Sequence, residues 1–233
     1  MKNLTLVIPA KNEEDSLSKV LLEIKSYNLK KILVVNQLNK KIIEIAKKNN
    51  CKIFKQSGSG YGNAVIEGLN MCSTKYACIF NADGSFDPKY LSVMFKEIKK
   101  GYKFIFASRY EKHGGSKDDT IITLIGNKIF SFMGNFLFKL KISDILFTYI
   151  LGETKSFKNL KLKSEDFRLC PEIPIKSKIG EYKYKTVPSL ERKRFAGKKN
   201  VNELIDGFLI LCYLIKNFLI LKYKKKRNFN SIS

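Results

Sequence analysis

The chain has 233 residues, enough for one good hydrophobic core with an appendage, and its apolar content of 44% is ordinary for a globular protein. Forty-four Lys and Arg against 21 Asp and Glu give a net charge of +23, a field that attracts nucleic acid, anionic lipid or phosphorylated ligands without choosing among them. Five scattered cysteines with no Cys-x-x-Cys pair, and His113 as the only histidine, argue against a Cys/His zinc site and suit reduced thiols in a cytosol.

Leu4 to Ile8 reads as a buried strand stopped by Pro9, with no signal peptide ahead of it. Asn12 to Ser16 carries helix-start chemistry, with acidic side chains where the helix dipole favours them; Leu17, Val20, Leu21 and Ile24 follow on one helical face. A second strand spans Ile32 to Val35, a short helix follows around Ile42 to Ala46, and Ile53-Phe54 is a brief third strand. Ser57 to Gly62 is a glycine-rich loop before a helix from about Asn63 to Met71. The apolar run Tyr76 to Phe80 then ends in Asn81-Ala82-Asp83-Gly84-Ser85-Phe86-Asp87-Pro88, where Pro88 opens a helix with Leu91, Met94, Phe95 and Ile98 on its apolar face. A fifth strand lies at Phe104 to Ala107. Strands alternating with helices predict an α/β fold with a mostly parallel sheet and helices on both faces. Ligands of such sheets bind outside the carboxyl ends of the strands. Asp83 is therefore placed to hold a divalent cation against a diphosphate, because hard cations prefer oxygen ligands; an ordinary Asp-Gly turn is the alternative.

After Arg109 the character changes. Glu111 to Thr120 is polar and reads as a mobile loop; Ile121 to Leu140 reads as an amphipathic helix; Tyr182 to Val187 alternates like a strand; and Leu204 to Leu221 is a second amphipathic stretch ahead of a basic run, Lys222 to Arg227. Neither amphipathic stretch reads as a convincing membrane span: Asn127, Lys128 and Asn135 interrupt the first, and Asp206, Lys216 and Asn217 the second. Lying in a membrane interface, with the basic tail on anionic headgroups, and packing on the sheet or a second subunit are the two readings.

Six segments in this order resemble the family 2 glycosyltransferases, which have a Rossmann-like GT-A fold, and most of all the dolichol/polyprenol-phosphate sugar synthases and their short bacterial relatives. These are Leu6 to Glu14, Gly60-Tyr61-Gly62-Asn63-Ala64 with Gly68, Asn81-Ala82-Asp83-Gly84, Ala107-Ser108-Arg109-Tyr110, Ser143-Asp144, and Val187 through Lys199. The match covers about residues 1–200, leaving 201–233 as an amphipathic helix and basic tail. The resemblance implies inverting transfer of a sugar from a nucleotide-sugar donor to a polyprenyl phosphate or lipid-linked glycan, on the cytoplasmic face of the plasma membrane. It implies that Pro9, Ala10, Asn12, Glu13 and Asn36 border the donor nucleotide, with Gly60, Gly62, Asn63 and Ala82 completing the donor site. Asp83 with Asn81 would hold Mg²⁺ or Mn²⁺, and Arg192, Arg194 and Lys198 would close over the diphosphate. Arg109, beside Ser108, would meet an acceptor phosphate, where a planar guanidinium makes paired hydrogen bonds. A phosphate acceptor is already ionised; a sugar hydroxyl needs a carboxylate base, for which Asp144, Asp166 and Glu172 are the candidates.

The chain departs from the family pattern at several places. Asn36-Gln37-Leu38-Asn39 replaces an Asp-Asp-Gly-Ser, Asn81 replaces the first acid of the metal motif, Ser85 stands where the lipid-phosphate synthases often have Gln, Phe147-Thr148-Tyr149 replaces Gly-Phe-Arg, and Asn200 replaces a lysine. A catalytically silent relative is one alternative. A sugar-phosphate nucleotidyltransferase is a second, opposed by the absence of a glycine-rich basic loop after the first strand. A non-enzymatic basic binder is the third; no zinc module, RNA-binding aromatic motif or helix-turn-helix signature supports a specific nucleic-acid partner.

Overall fold

The computed structural model describes residues 1–11, 13–196 and 201–230, of which 224–230 by backbone alone. The first half alternates as β1 (Leu4–Ala10), α1 (Glu14–Glu23), β2 (Lys30–Val35), α2 (Lys40–Lys48), β3 (Lys52–Lys55), α3 (Tyr61–Met71), β4 (Tyr76–Ile79), α4 (Lys89–Ile98) and β5 (Phe104–Ser108). The second half holds β6 (Gly115–Ser116), α5 (Ile121–Phe138), β7 (Ile150–Glu153), α6 (Thr154–Asn159), α7 (Leu169–Ile179), β8 (Tyr184–Pro188), β9 (Leu190–Glu191) and α8 (Glu203–Asn230). Seven strands form one sheet in the order β3-β2-β1-β4-β7-β5-β8. All its pairings are parallel except those of β7, which runs antiparallel to both β4 and β5.

The period of two along β1 divides the core. Leu4, Leu6 and Ile8 pack with Leu17, Leu21 and Met94 on one face, and Val7 packs with Val65 and Leu69 on the other. Both faces are covered, so the strands read as continuous apolar runs. Gly68 of α3 sits where a Cβ would come within 2.3 Å of Val7 Cγ1, so the glycine sets how closely helix and sheet approach. Asn39 caps α2 by accepting from Ile42 N at 2.9 Å.

β7 and α6 are not legible in the sequence. β7 is four residues long and contains Gly152, an unpromising strand residue. A Cβ there would meet the rings of Phe104 and Phe157 at 2.6 Å, so the glycine lets two aromatic side chains close over the strand. The segment read as a mobile loop is also more ordered than its polarity suggests. Gly115–Ser116 pairs in parallel with Leu190–Glu191, and Thr120 caps α5 in a reciprocal pair with Thr123. The core extends into the C-terminal helix, where Ile210 and Leu214 of α8 are buried in the cluster that holds Phe138 of α5.

Candidate functional site

The strand order turns at β1, whose neighbours β2 and β4 lead off in opposite directions. An open α/β sheet leaves a crevice outside its carboxyl edge at such a switch point. A cavity of about 490 Å³ lies there. Pro9 and Ala10 from the end of β1, Asn36 beyond β2, Asn81 to Asp83 beyond β4 and Arg109 beyond β5 all line it, with Gly60 and Tyr61 at the start of α3.

Asp83 sits in a tight turn. Its Oδ1 accepts from Ser85 N at 2.9 Å and from Ser85 Oγ at 2.7 Å. Gly84 adopts a left-handed φ of 86°, and a Cβ there would strike the Phe195 ring at 2.4 Å. Phe195 N in turn donates to the Asp83 carbonyl at 2.7 Å, tying the late loop to the turn. The free edge of the carboxylate, Oδ2, faces Arg194 Nη1 at 3.5 Å. Asn81 lines the same cavity, its Oδ1 3.4 Å from Tyr61 Oη, which also lies 2.6 Å from Thr148 Oγ1. Among the described residues no group of three or more His, Cys, Asp or Glu could form a metal cage. One carboxylate and one amide oxygen suit Mg²⁺ or Mn²⁺ that takes its remaining ligands from a diphosphate and water, the habit of a hard cation in phosphate chemistry.

The basic residues of the late segment divide. Arg194 lines the cavity and bridges Asp83 to Asp118, donating from Nη2 to Asp118 Oδ2 at 2.8 Å. Arg192 is a strut instead. Its Nη1 and Nη2 donate to Glu23 at 3.0 and 2.8 Å, and its Nε to the Gly84 carbonyl at 3.1 Å, which clamps the Asp83 turn to α1. Asn12 and Lys198 lie outside the described residues.

Arg109 is buried and engaged by carboxylates. Its Nε and Nη2 donate to Asp144 at 2.7 and 3.0 Å, and its Nη1 to Glu191 at 3.2 Å and Asp119 at 3.4 Å. Four of its five N–H groups are thus directed at carboxylates, against the open fork that an acceptor phosphate would need. Ser108 is fully buried, with its Oγ 2.7 Å from Ser143 Oγ, and is not part of the lining. Asp144, 1% exposed, is the anchor of Arg109.

Other predicted residues fall into two groups. Glu13 lines the cavity and accepts from Lys11 N. Ala82 is buried in the lining, its carbonyl accepting from Ser16 Oγ at 2.9 Å. Gly62 and Asn63 stand behind the wall. A Cβ on Gly62 would collide with the Ser164 carbonyl at 2.2 Å, and Asn63 N donates to the Glu165 carbonyl at 2.9 Å. Asp166 is in the lining, held by Arg168 at 2.7 Å. Glu172 is not. It is 1% exposed and accepts from Lys163 N, Ser164 N and Lys176 Nζ at 2.9, 2.8 and 2.7 Å. That geometry makes it the pin of the 163–164 turn. Glu172→Gln is expected to cost about 1–3 kcal/mol in urea denaturation while leaving the kcat of the folded enzyme unchanged, because one acceptor of a buried pair of amides is lost at a side chain that does not line the cavity.

Three contributors have no sequence motif behind them, and a fourth lies in one that gave it no role. Asp118 and Asp119 bring two carboxylates to the lining, Phe167 stacks on Tyr61 at 5.3 Å between ring centres, and Glu191, inside the Val187–Lys199 segment, adds a third carboxylate. The adjacent Asp118-Asp119 pair was the only hint, and it lay in a segment that polarity alone marks as loop.

By length and composition, α5 and α8 are both long and apolar enough to cross a membrane, which the interruptions along them had discounted. The two helices pack on each other through Phe138 and Phe218 and expose apolar side chains at helical spacing: Ile121, Ile125, Ile129, Phe132 and Phe136 on α5; Leu204, Phe208, Leu219 and Tyr223 on α8. Their N-terminal turns reach the cavity through Thr123, Asn127, Glu203 and Asp206.

Residues 5–161 match the model of a family described as glycosyl transferase family 2. Glycosyltransferase AglJ of Haloferax volcanii is 23% identical over 91% of this chain and 70% of its own length. An uncharacterized protein of Methanocaldococcus jannaschii is 28% identical over 90% of each chain. Among solved structures, glucosyl-3-phosphoglycerate synthase of Mycobacterium tuberculosis, in complex with Mn²⁺, UDP and phosphoglyceric acid, superposes with a TM-score of 0.72 at 12% identity, covering 93% of this chain and 78% of that one. Mannosyl-3-phosphoglycerate synthase of Rubrobacter xylanophilus gives 0.72 at 14% identity, covering 96% and 75%.

Proposed function

This chain belongs to glycosyl transferase family 2 and is a glycosyltransferase with the GT-A fold, and from that premise we propose that it transfers a sugar, with inversion, from a nucleotide-sugar donor to a lipid-linked acceptor, a polyprenyl phosphate or a lipid-linked glycan, at a cytoplasmic membrane surface. The observation that carries the donor half is the placement of Asp83 at the carboxyl end of β4, in a cavity bordered by the β1 and β2 ends and faced by Arg194. Pro9, Ala10, Glu13 and Asn36 border the nucleotide; Asn36 offers hydrogen bonds to base or ribose without charge. Asp83 and Asn81 hold the divalent cation, Mg²⁺ or Mn²⁺. When bound, the cation offsets negative charge on the departing nucleoside diphosphate. Arg194 is placed to release Asp83 and turn to the diphosphate, giving a second positive group where charge develops.

The lipid half of the reading rests on α5 and α8. Their exposed apolar side chains, on two helices whose N-terminal portions line the cavity, and the net charge of the chain suit an anionic bilayer.

A thermal-shift screen of UDP, GDP, CDP and dTDP with and without Mn²⁺ tests the donor site, and flotation with vesicles of phosphatidylglycerol and phosphatidylcholine tests the surface. A nucleoside diphosphate at a hundred times its Kd adds about 2.7 kcal/mol of stability, and that increment is expected only with metal present. Flotation is expected with the anionic vesicles and not with phosphatidylcholine alone. No shift with any nucleotide contradicts the donor site, and no flotation contradicts the surface.

A further inference from the structure

The acceptor side of the cavity is anionic where a phosphate would need it cationic. Beyond Asp83, the lining presents Asp118, Asp119 and Glu191, and its two guanidinium groups, Arg109 and Arg194, are both held by those carboxylates and by Asp144. A phosphorylated acceptor would have to displace buried ion pairs and face like charge, whereas a neutral polyol would find acceptors for its hydroxyl protons.

Within this group Glu191 stands apart by position. It is the last residue of β9, which runs along the metal turn: Phe86 bridges to Glu191, and Arg192 N donates to the Ser85 carbonyl at 2.8 Å. One carboxylate oxygen, Oε2, is fixed by Arg109 Nη1 at 3.2 Å and by Ser116 Oγ. The side chain is thereby oriented in the cavity wall, adjoining the turn that carries Asp83. Asp119 is spread over Arg109, Asn127 and the Tyr110 hydroxyl, and Asp118 is engaged with Arg194.

Resting on the sugar-transfer reading above, we propose that the acceptor group is a hydroxyl of an uncharged glycan and that Glu191 takes its proton. The acceptor oxygen bonds to the anomeric carbon of the donor sugar. The bond from that carbon to the diphosphate oxygen breaks, its electron pair leaves with the nucleoside diphosphate, and the hydroxyl proton passes to the Glu191 carboxylate. Burial pushes the Glu191 carboxyl above the usual glutamate range, with Arg109 and Ser116 pulling against it and Asp119 adding to it, so its basicity is raised in the direction that a proton acceptor needs.

The test uses the full chain with Mn²⁺ and a panel of UDP- and GDP-hexoses. One arm offers neutral octyl glucoside, octyl mannoside and octyl N-acetylglucosaminide. The other offers undecaprenyl phosphate and 3-phosphoglycerate. Transfer to a neutral glycoside and to neither phosphate is expected. Glu191→Gln should lower kcat by about a hundredfold or more with acceptor KM and nucleotide Kd nearly unchanged, and should abolish the acid limb of the pH profile. Glu191→Asp, which keeps the base, should recover part of the rate, an outcome that a merely structural role would not give. Transfer to a phosphate, transfer to neither class, or a Gln variant within about threefold of wild type overturns the proposal. Nucleotide binding in the same samples separates this from failure of the sugar-transfer reading, which alone predicts a metal-dependent diphosphate site.

Discussion

Asp83→Asn is expected to lower kcat/KM for sugar transfer by about a thousandfold, the loss that follows when one preorganised group opposing developing charge is removed. The side chain keeps its shape, so the turn survives: Ser85 N and Oγ still find an oxygen at Oδ1, and Gly84 still takes the left-handed φ of 86° under Phe195. What disappears is the negative charge that faces Arg194 and that we propose attracts the cation. Steady-state kinetics over a Mn²⁺ titration checks it. The variant should need far more metal for half-maximal rate, and melting temperature should change little. A variant that keeps wild-type kinetics would place the leaving-group chemistry elsewhere in the cavity.

Arg109→Ala carries the largest expected effect on stability. Arg109 pairs with Asp144, whose side chain has 0% exposure, and stands against the Phe147 ring at 4.8 Å from its centroid. Removing the guanidinium leaves a carboxylate buried without its counter-ion, which costs about 3–5 kcal/mol. A domain of this size has only about 5–15 kcal/mol in total, so the variant should unfold at markedly lower urea or accumulate as aggregate. Arg109→Ala with Asp144→Ala should lose less than the two single changes summed, because the orphaned charge is gone. If Arg109 were chiefly an acceptor ligand, Arg109→Ala would fold normally and raise only acceptor KM. The two outcomes separate a positioning residue from a binding one.

The parallel sheet and the site at its carboxyl edge are written in the local sequence, because each βα unit places an apolar run beside a turn that breaks it. Leu4 to Pro9 and Tyr76 to Asp83 show the pattern plainly. The side of the cavity around Arg109 is less legible for a physical reason: it is assembled from short pieces far apart in the chain. β6 and β9 are two residues each, too short to show a period, yet their pairing brings Ser116 to Glu191, with Asp118 beside Arg194 and Asp119 beside Arg109. A motif identifies Arg109 but says nothing of the three carboxylates that consume its donors. Glu172 shows the converse. The family resemblance makes it a candidate base, whereas its bonds to Lys163 N and Ser164 N are those of a turn pin.

We propose that Asp83 creates a metal-dependent diphosphate site. Isothermal titration of UDP and GDP into wild-type protein and Asp83→Asn, each with Mn²⁺ and with EDTA, measures it most directly. One nucleotide is expected to bind wild type tightly only with Mn²⁺ and to lose most of that metal-dependent affinity in Asp83→Asn. Binding that is equal with and without metal, or unchanged in Asp83→Asn, would contradict it.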